Sequence, residues 1–156
     1  MKLWIMRHGQ AHAMADSDPQ RTLTARGHQE AREMAVELID QPLEAILASP
    51  YTRAQQTAAE VVDVVGYRRA VATVPWLTPD DDPMAVIDYL GERSEKELLL
   101  VSHQPLVCQL ISLLVEGNRQ GHYPMSTASL ACLQLDFAAA GVAELLSLQA
   151  PAELRG

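Results

Sequence analysis

Arg7, His8 and Gly9 directly follow an apolar run that predicts a buried β-strand. Their side chains suit an anionic ligand. Arginine offers a planar fork of hydrogen-bond donors, histidine can act as a nucleophile or a base, and glycine lets the backbone come close to a ligand. The alternative is an ordinary strand end with a solvated arginine and a turn glycine, because short motifs also match by chance.

Two later apolar segments end in the same manner. One is followed by Ser49-Pro50-Tyr51-Thr52-Arg53 and the other by Ser102-His103-Gln104-Pro105, each at the predicted start of a helix. The carboxyl ends of parallel strands meet at one edge of a sheet, so Arg7, His8, Arg53 and His103 can converge there. Helix N-termini add free backbone donors and partial positive charge. The pattern predicts a site for a tetrahedral dianion, most simply a phosphoryl group.

Other chemistries are weaker alternatives. His8 and His12 have an i, i+4 spacing that could hold a metal on a helix, but Gly9 and the preceding strand argue against a helix, and no third ligand is evident. Ser49 and Ser102 show no defensible Ser-His-Asp order. Taken singly, a histidine or an arginine at these positions could be structural. Asp80–Asp82 predict a solvated loop from which one carboxylate could reach the site.

The chain alternates strand and helix patterns. Apolar residues recur at i, i+3, i+4, i+7 and i+8 from Ala31 to Ile39, and this spacing predicts one buried helix face after a cap at Thr24. The predicted strands are 2–6, 44–48, 70–74, 98–101, 130–136 and 142–148; the helices are 24–39, a segment ending near 65, 84–93 and a segment from 105. This order predicts an α/β fold: a three-layer α/β/α sandwich around a mostly parallel sheet with an antiparallel edge. One domain over residues 1–156 is expected.

Composition limits the classes of partner. Twelve Lys and Arg against twenty Asp and Glu give a net charge of −8, which disfavours a nucleic-acid or anionic-membrane surface and makes clustered cations more informative. Cys108 and Cys132 predict two buried, reduced thiols in a cytoplasmic protein. No signal-peptide core or membrane-length apolar run is evident in the sequence. We expect a monomer with no cofactor and no metal.

The motifs taken together resemble the histidine phosphatase (phosphoglycerate-mutase-like) superfamily. They are Arg7-His8-Gly9, Leu23-Thr24-x-x-Gly27, Ser49-Pro50-x-x-Arg53-Ala54-x-x-Thr57 and the late strand ending at Ser102-His103. The short chain, Ile5-Met6-Arg7-His8-Gly9 and Leu77-Thr78-Pro79 resemble its small SixA-type phosphohistidine phosphatases. The resemblance covers essentially the whole chain and keeps the order of the motifs.

The resemblance implies a two-step phosphoryl transfer without a metal. Neutral His8 would attack phosphorus, and water would hydrolyse the resulting phosphohistidine. Arg7, Arg53 and His103 would hold the phosphoryl oxygens and stabilise charge in the transition state, with Arg21 as a further contact from the loop above the site. The implied partner is a phosphohistidine-bearing signalling or phosphotransfer protein.

Two departures bear on the substrate. Larger family members place a glutamate after the third strand as an acid for an alkoxide leaving group, whereas this chain has Pro75-Trp76-Leu77-Thr78-Pro79-Asp80. A site without a dedicated acid suits a P–N bond better than a phosphomonoester, since the imidazole can be protonated before it leaves. The segment between Arg53 and His103 is also too short for the cap domain of the sugar-phosphate mutases in this family, so the resemblance implies a fold with no cap domain. The alternatives are a small-molecule phosphomonoesterase that uses one of Asp80–Asp82 as its acid, and a non-catalytic phosphate-binding module.

Overall fold

The computed structural model describes residues 1–151 and contains six strands and four α-helices. The strands are β1 (Lys2–Arg7), β2 (Ala45–Ala48), β3 (Ala72–Thr73), β4 (Glu97–Ser102), β5 (Leu130–Gln134) and β6 (Glu144–Gln149). The helices are α1 (Ala25–Ala35), α2 (Thr52–Val65), α3 (Pro83–Gly91) and α4 (Leu106–Glu116). Short 3-10 turns lie at Asp18–Gln20, Val36–Leu38 and Pro75–Leu77. The end of the expected 1–156 domain, residues 152–156, lies outside the described residues.

The six strands form one sheet in the order β3-β2-β4-β1-β5-β6. β1 pairs in parallel with β4, and β4 pairs in parallel with β2. β5 runs antiparallel to β1, and β6 antiparallel to β5. The predicted α/β class, with a mostly parallel sheet and an antiparallel edge, is therefore confirmed.

Both faces of the sheet are covered, because alternate residues of each central strand point to opposite sides. In β1, Leu3 and Ile5 join the apolar cluster that includes α3 and α4, whereas Trp4 and Met6 join the cluster that includes α1 and α2. β4 divides its side chains in the same way and is buried along its whole length. The carboxyl ends of β1, β2 and β4 are thus held on a rigid, fully packed support.

Several local predictions were wrong in detail. The predicted strand at 70–74 is a two-residue edge strand with both residues exposed, because β2 is the only strand that pairs with it among the described residues. The helix predicted through Ile39 gives way to a 3-10 turn after Ala35, and Ile39 is 47% exposed. Cys132 is buried as expected, but Cys108 is only half-buried; both are free thiols.

The helices of residues 1–151 are too short or too polar to cross a membrane.

Candidate active site

Three neighbouring strands bring the predicted site residues together. Arg7 is the last residue of β1, His103 directly follows β4, and Arg53 lies in the first turn of α2, just after β2. The sheet order places β1, β4 and β2 side by side and parallel, so their carboxyl ends share one edge. The rings of His8 and His103 have centroids 5.0 Å apart. The convergence predicted from the strand ends is what the fold produces.

The protonation of His8 follows from its two ring contacts. Nδ1 lies 2.6 Å from the Gly9 carbonyl oxygen, which can only accept a hydrogen bond. Nε2 lies 3.3 Å from Nε of Arg53, which can only donate one. The proton of the neutral ring therefore resides on Nδ1, and Nε2 carries the lone pair. Nε2 is the nucleophilic atom of this ring.

Both histidines are neutral near pH 7. Burial first, then the charges of Arg53, Arg7 and Arg21, lower the pKa of His8 to about 4 against the opposing hydrogen bond to Gly9. Burial likewise lowers the pKa of His103 to about 2, with His8 and Arg53 adding to the effect. A buried imidazole beside guanidinium groups resists a further positive charge.

The guanidinium of Arg53 is held by Asp18, an acidic residue that sequence analysis did not single out. This guanidinium is 3% exposed, and Nη1 donates to the Asp18 carbonyl oxygen at 2.7 Å while Nη2 donates to the Asp18 carboxylate at 3.1 Å. The same carboxylate accepts from Arg21 Nε at 2.8 Å. The hydrogen bond from Arg21 lowers the pKa of Asp18 most, and the hydrogen bond from Arg53 lowers it as well. The partly exposed Asp18 carboxylate thus bridges the two arginines.

Arg7 is fixed from the opposite side of the site. Its Nη1 donates to the Met125 carbonyl oxygen at 3.0 Å, and its buried Nε has no hydrogen-bond partner among the described residues. Burial, with the nearby charge of Arg53, lowers the pKa of Arg7. A guanidinium stays protonated under any physiological condition, so Arg7 offers a charged donor to an incoming anion.

These side chains line one cavity of about 490 Å³, which also includes Arg21 and Asp80. Asp80 is exposed at its mouth. Asp81 accepts hydrogen bonds from the backbone and hydroxyl of Thr78, and Asp82 caps α3 and pairs with Arg119. Asp80 is therefore the member of this acidic run that faces the cavity.

Tight backbone packing supports the floor of the site. A Cβ on Gly9 would lie 2.5 Å from the carbonyl oxygen of Gly27, and one on Gly27 would lie 2.0 Å from that of Gln10. The Gly9 amide donates to Thr57 Oγ1, which in turn donates to the Arg53 carbonyl oxygen. The start of α1 and the start of α2 are thereby locked against the segment that carries His8.

Known proteins share both the sequence and this architecture. Phosphohistidine phosphatase SixA of Escherichia coli (strain K12) is 37% identical over 141 residues, which cover 87% of this chain and 86% of the relative. The chain belongs to the histidine phosphatase superfamily. Residues 3–77 match the family profile of the Histidine phosphatase superfamily (branch 1).

Two further comparisons agree. The phosphohistidine phosphatase SixA homolog of Haemophilus influenzae (strain ATCC 51907 / DSM 11121 / KW20 / Rd) is 35% identical over 143 residues, covering 83% of this chain and 87% of the relative. A solved structure of the protein histidine phosphatase SixA complexed with tungstate superposes with a TM-score of 0.88 and 34% identity over 99% of both chains. The chain is thus a SixA homologue, and the family resemblance predicted from its motifs is confirmed.

Two residues of this histidine phosphatase site were missed as such by sequence reasoning. Asp18 was not recognised in the sequence, since no periodic pattern marks a carboxylate that reaches across to Arg53. Ser49 was weighed only as a serine nucleophile, although its Oγ lies 2.7 Å from Nε2 of His103. Its place in the Ser49-Pro50-x-x-Arg53 motif was the available signal.

His12 and His28 make no contribution to the cavity. His12 is exposed in the loop between β1 and α1, so its i, i+4 spacing from His8 does not fall on a helix. The Nδ1 atom of His28 lies 2.8 Å from a carboxylate oxygen of Glu60, between α1 and α2. Across residues 1–151, no group of three or more His, Cys, Asp or Glu side chains is arranged to hold a metal ion.

Proposed function

We propose that this chain is a phosphohistidine phosphatase that acts on a histidine-phosphorylated protein through a phospho-His8 intermediate. The observation that carries the proposal is the Nε2 lone pair of neutral His8, set between two arginines in a cavity without a cap. The two SixA relatives described above are phosphohistidine phosphatases by name, which supports the same substrate class. Tungstate, bound by a structural relative, is like phosphate a tetrahedral oxyanion.

The first chemical step transfers the phosphoryl group. His8 Nε2 attacks phosphorus in line with the substrate's P–N bond, that bond breaks, and the substrate imidazole, protonated beforehand, leaves as a neutral ring. Arg7 and Arg53 hold the phosphoryl oxygens, with His103 as a neutral donor and Arg21 as an outer contact. Positioning and charge stabilisation are the main contributions that a protein can make to this reaction.

The second step regenerates the enzyme. Water attacks phospho-His8, the Nε2–P bond breaks, and inorganic phosphate leaves with the proton balance completed by solvent. His8 returns to the tautomer that Gly9 and Arg53 stabilise. No metal or cofactor enters either step.

The substrate class rests on the surroundings of the cavity. The Asp18 carboxylate is paired with Arg53 and Arg21. Asp81 is engaged in a turn and Asp82 in a helix cap, and this leaves Asp80 at an exposed mouth. Such a site favours a leaving group that needs no enzymic acid, as imidazole does. The uncapped mouth suits a phosphorylated side chain on a folded protein.

The remaining parts of the proposal concern organisation and location. We propose a single domain over residues 1–156 that acts as a monomer, because Arg7, His8, Arg53 and His103 already line one cavity within a single copy of the chain. We also propose a cytoplasmic location, because Cys108 and Cys132 are free thiols, as is usual in a reducing compartment.

The test is release of inorganic phosphate from a histidine-phosphorylated carrier protein, beside release from p-nitrophenyl phosphate. We expect faster release from the carrier, lost in His8→Asn and retained in His122→Asn, which removes an exposed histidine outside the cavity. Release from the ester at least as fast would favour the phosphomonoesterase. Phosphate binding without release from either substrate would favour the non-catalytic module.

A further inference from the structure

Ser49 is a wholly buried hydroxyl with two neighbours. Its Oγ accepts a hydrogen bond from the Tyr51 amide at 3.2 Å and lies 2.7 Å from Nε2 of His103. The backbone carbonyl of the same residue accepts from Gln55, which secures the strand end. The contact between Ser49 and His103 joins the end of β2 to the end of β4, behind the proposed phosphoryl site.

These contacts decide which way the proton between serine and histidine points. His103 is neutral, so only one of its ring nitrogens carries a proton. If Nε2 carried it, the Ser49 oxygen would accept two hydrogen bonds, and its own hydroxyl proton would have no acceptor among the described residues. If Ser49 donates to Nε2, its oxygen and its proton are both satisfied, and the Nδ1 proton of His103 is the one group without a partner among the described residues. The first arrangement instead leaves two groups without a partner, the serine proton and the Nδ1 lone pair. Unsatisfied buried polar groups are costly, so the second arrangement is favoured.

The consequence lies on the other side of the ring. With Nε2 as the acceptor, the proton of His103 is on Nδ1, which is buried and has no hydrogen-bond partner among the described residues. His103 lines the cavity beside His8, and Tyr51 packs edge-on against it with ring centroids 5.0 Å apart. The ring is therefore clamped in orientation by an aromatic neighbour and in tautomer by a hydroxyl.

We propose that Ser49 is a positioning residue that holds His103 as the Nδ1–H tautomer, so that a neutral ring donates a hydrogen bond to a phosphoryl oxygen. With the opposite tautomer, Nδ1 would present a lone pair to that oxygen and repel it. The serine before Pro50 thus sets the sign of the His103 contact. The catalytic consequence rests on the proposed function, but the tautomer itself does not.

The first measurement is ¹⁵N NMR of the histidine rings in the resting wild-type protein, with His103 assigned by its loss in His103→Gln. We expect a protonated Nδ1 and an unprotonated Nε2. A protonated Nε2 in the wild type would overturn the proposal. Because this readout needs no turnover, it stands or falls separately from the phosphatase activity.

The second measurement uses variants and inorganic phosphate as the probe. Ser49→Ala is expected to mix the two tautomers and weaken phosphate binding several-fold, with turnover reduced about 10-fold, short of the full loss of an oxyanion donor. Ser49→Thr should restore the tautomer, because it keeps the hydroxyl. Ser112→Ala is the matched control, since Ser112 is equally buried, accepts from Gly121 and donates to Asn118, but lies on α4 away from His103.

A double-mutant cycle separates positioning from a general structural role. In a His103→Gln background, Ser49→Ala is expected to change phosphate affinity by less than about twofold, because interacting residues lose their effects together. An undiminished loss in that background would overturn the proposal. So would an unchanged His103 tautomer and phosphate affinity in Ser49→Ala.

Discussion

Acidification from pH 7 to pH 5 tests the depressed pKa of the nucleophile. His8 titrates at about 4 in the folded protein, against 6.5 for an ordinary histidine. At pH 5 about 90% of His8 is then neutral, whereas an ordinary histidine would be about 3% neutral, a difference of about 30-fold in reactive imidazole. The nucleophile therefore stays in its reactive form through mild acid.

The same pKa shift makes the folded protein less stable in mild acid, although it keeps the nucleophile reactive there. Between pH 6.5 and 4 the unfolded chain takes up a proton at His8 that the folded chain does not, so the free energy of unfolding falls as the pH falls through this range. Integrated from pH 7 to pH 5, His8 accounts for a loss of about 2 kcal/mol. His103, with a pKa of about 2, accounts for about 2 kcal/mol more over the same interval.

Two assays check this pair of effects. NMR titration of the His8 ring, assigned by its loss in His8→Asn, should show no midpoint between pH 8 and pH 5. Urea unfolding at pH 7 and pH 5 should show that the acid-induced loss of stability is about 2 kcal/mol smaller in His8→Asn than in the wild type. A His8 midpoint near 6.5, or an equal loss in both proteins, would refute the reasoning from burial and the neighbouring arginines.

Three further predictions follow from single contacts. Asp18→Asn should strengthen phosphate binding by up to about fivefold, because it removes a carboxylate that competes for Arg53 and Arg21. The limit follows because an ion pair with an exposed carboxylate contributes at most about 1 kcal/mol. Calorimetry beside Asp16→Asn measures this, and weaker binding would mean that Asp18 orients the arginines for the ligand. Gly27→Ala should destabilise the protein by about 1–3 kcal/mol or more, since its Cβ would overlap the Gln10 carbonyl. Gly91→Ala should not destabilise it, because the space around Gly91 is open. Equal urea midpoints for the two variants would contradict the packing argument. Asp80→Asn should change phosphohistidine turnover by less than about threefold, because the proposed reaction needs no enzymic acid. A true general acid contributes about 10²–10⁴-fold, so a loss of 10-fold or more would assign Asp80 to the chemistry.

The sequence was most informative where chemistry and topology coincide. Arg7 is the last residue of a strand, and His8, Arg53 and His103 come after strand ends. The parallel order of those strands follows from the alternation of strand and helix signals. A strand buried on both faces, such as β4, is recognised from its continuous run of apolar residues, so it could be predicted without knowing its neighbours in the fold. The same holds for the cap of α1 at Thr24, whose hydroxyl accepts from the Gly27 amide.

Features that depend on contacts between distant loops were not predictable. The bridge from Asp18 to Arg53 spans 35 residues of sequence, and no period or motif marks it. The shortness of β3 reflects its position at an edge of the sheet, which composition does not reveal. The link from Ser49 to His103 required both strand ends to be placed in space before its meaning for the tautomer became visible.

The most direct test of the account is to trap the phosphoryl group on the enzyme. A histidine-phosphorylated carrier protein is mixed rapidly with the wild type, quenched in alkali to preserve P–N bonds, digested and analysed by mass spectrometry and ³¹P NMR. The account predicts one phosphoryl group on His8, attached at Nε2, and none in His8→Asn. A phosphoryl group found on another residue, or on Nδ1 of His8, would contradict it. So would turnover without any enzyme-bound phosphate under conditions where phosphoryl transfer to the enzyme is faster than hydrolysis.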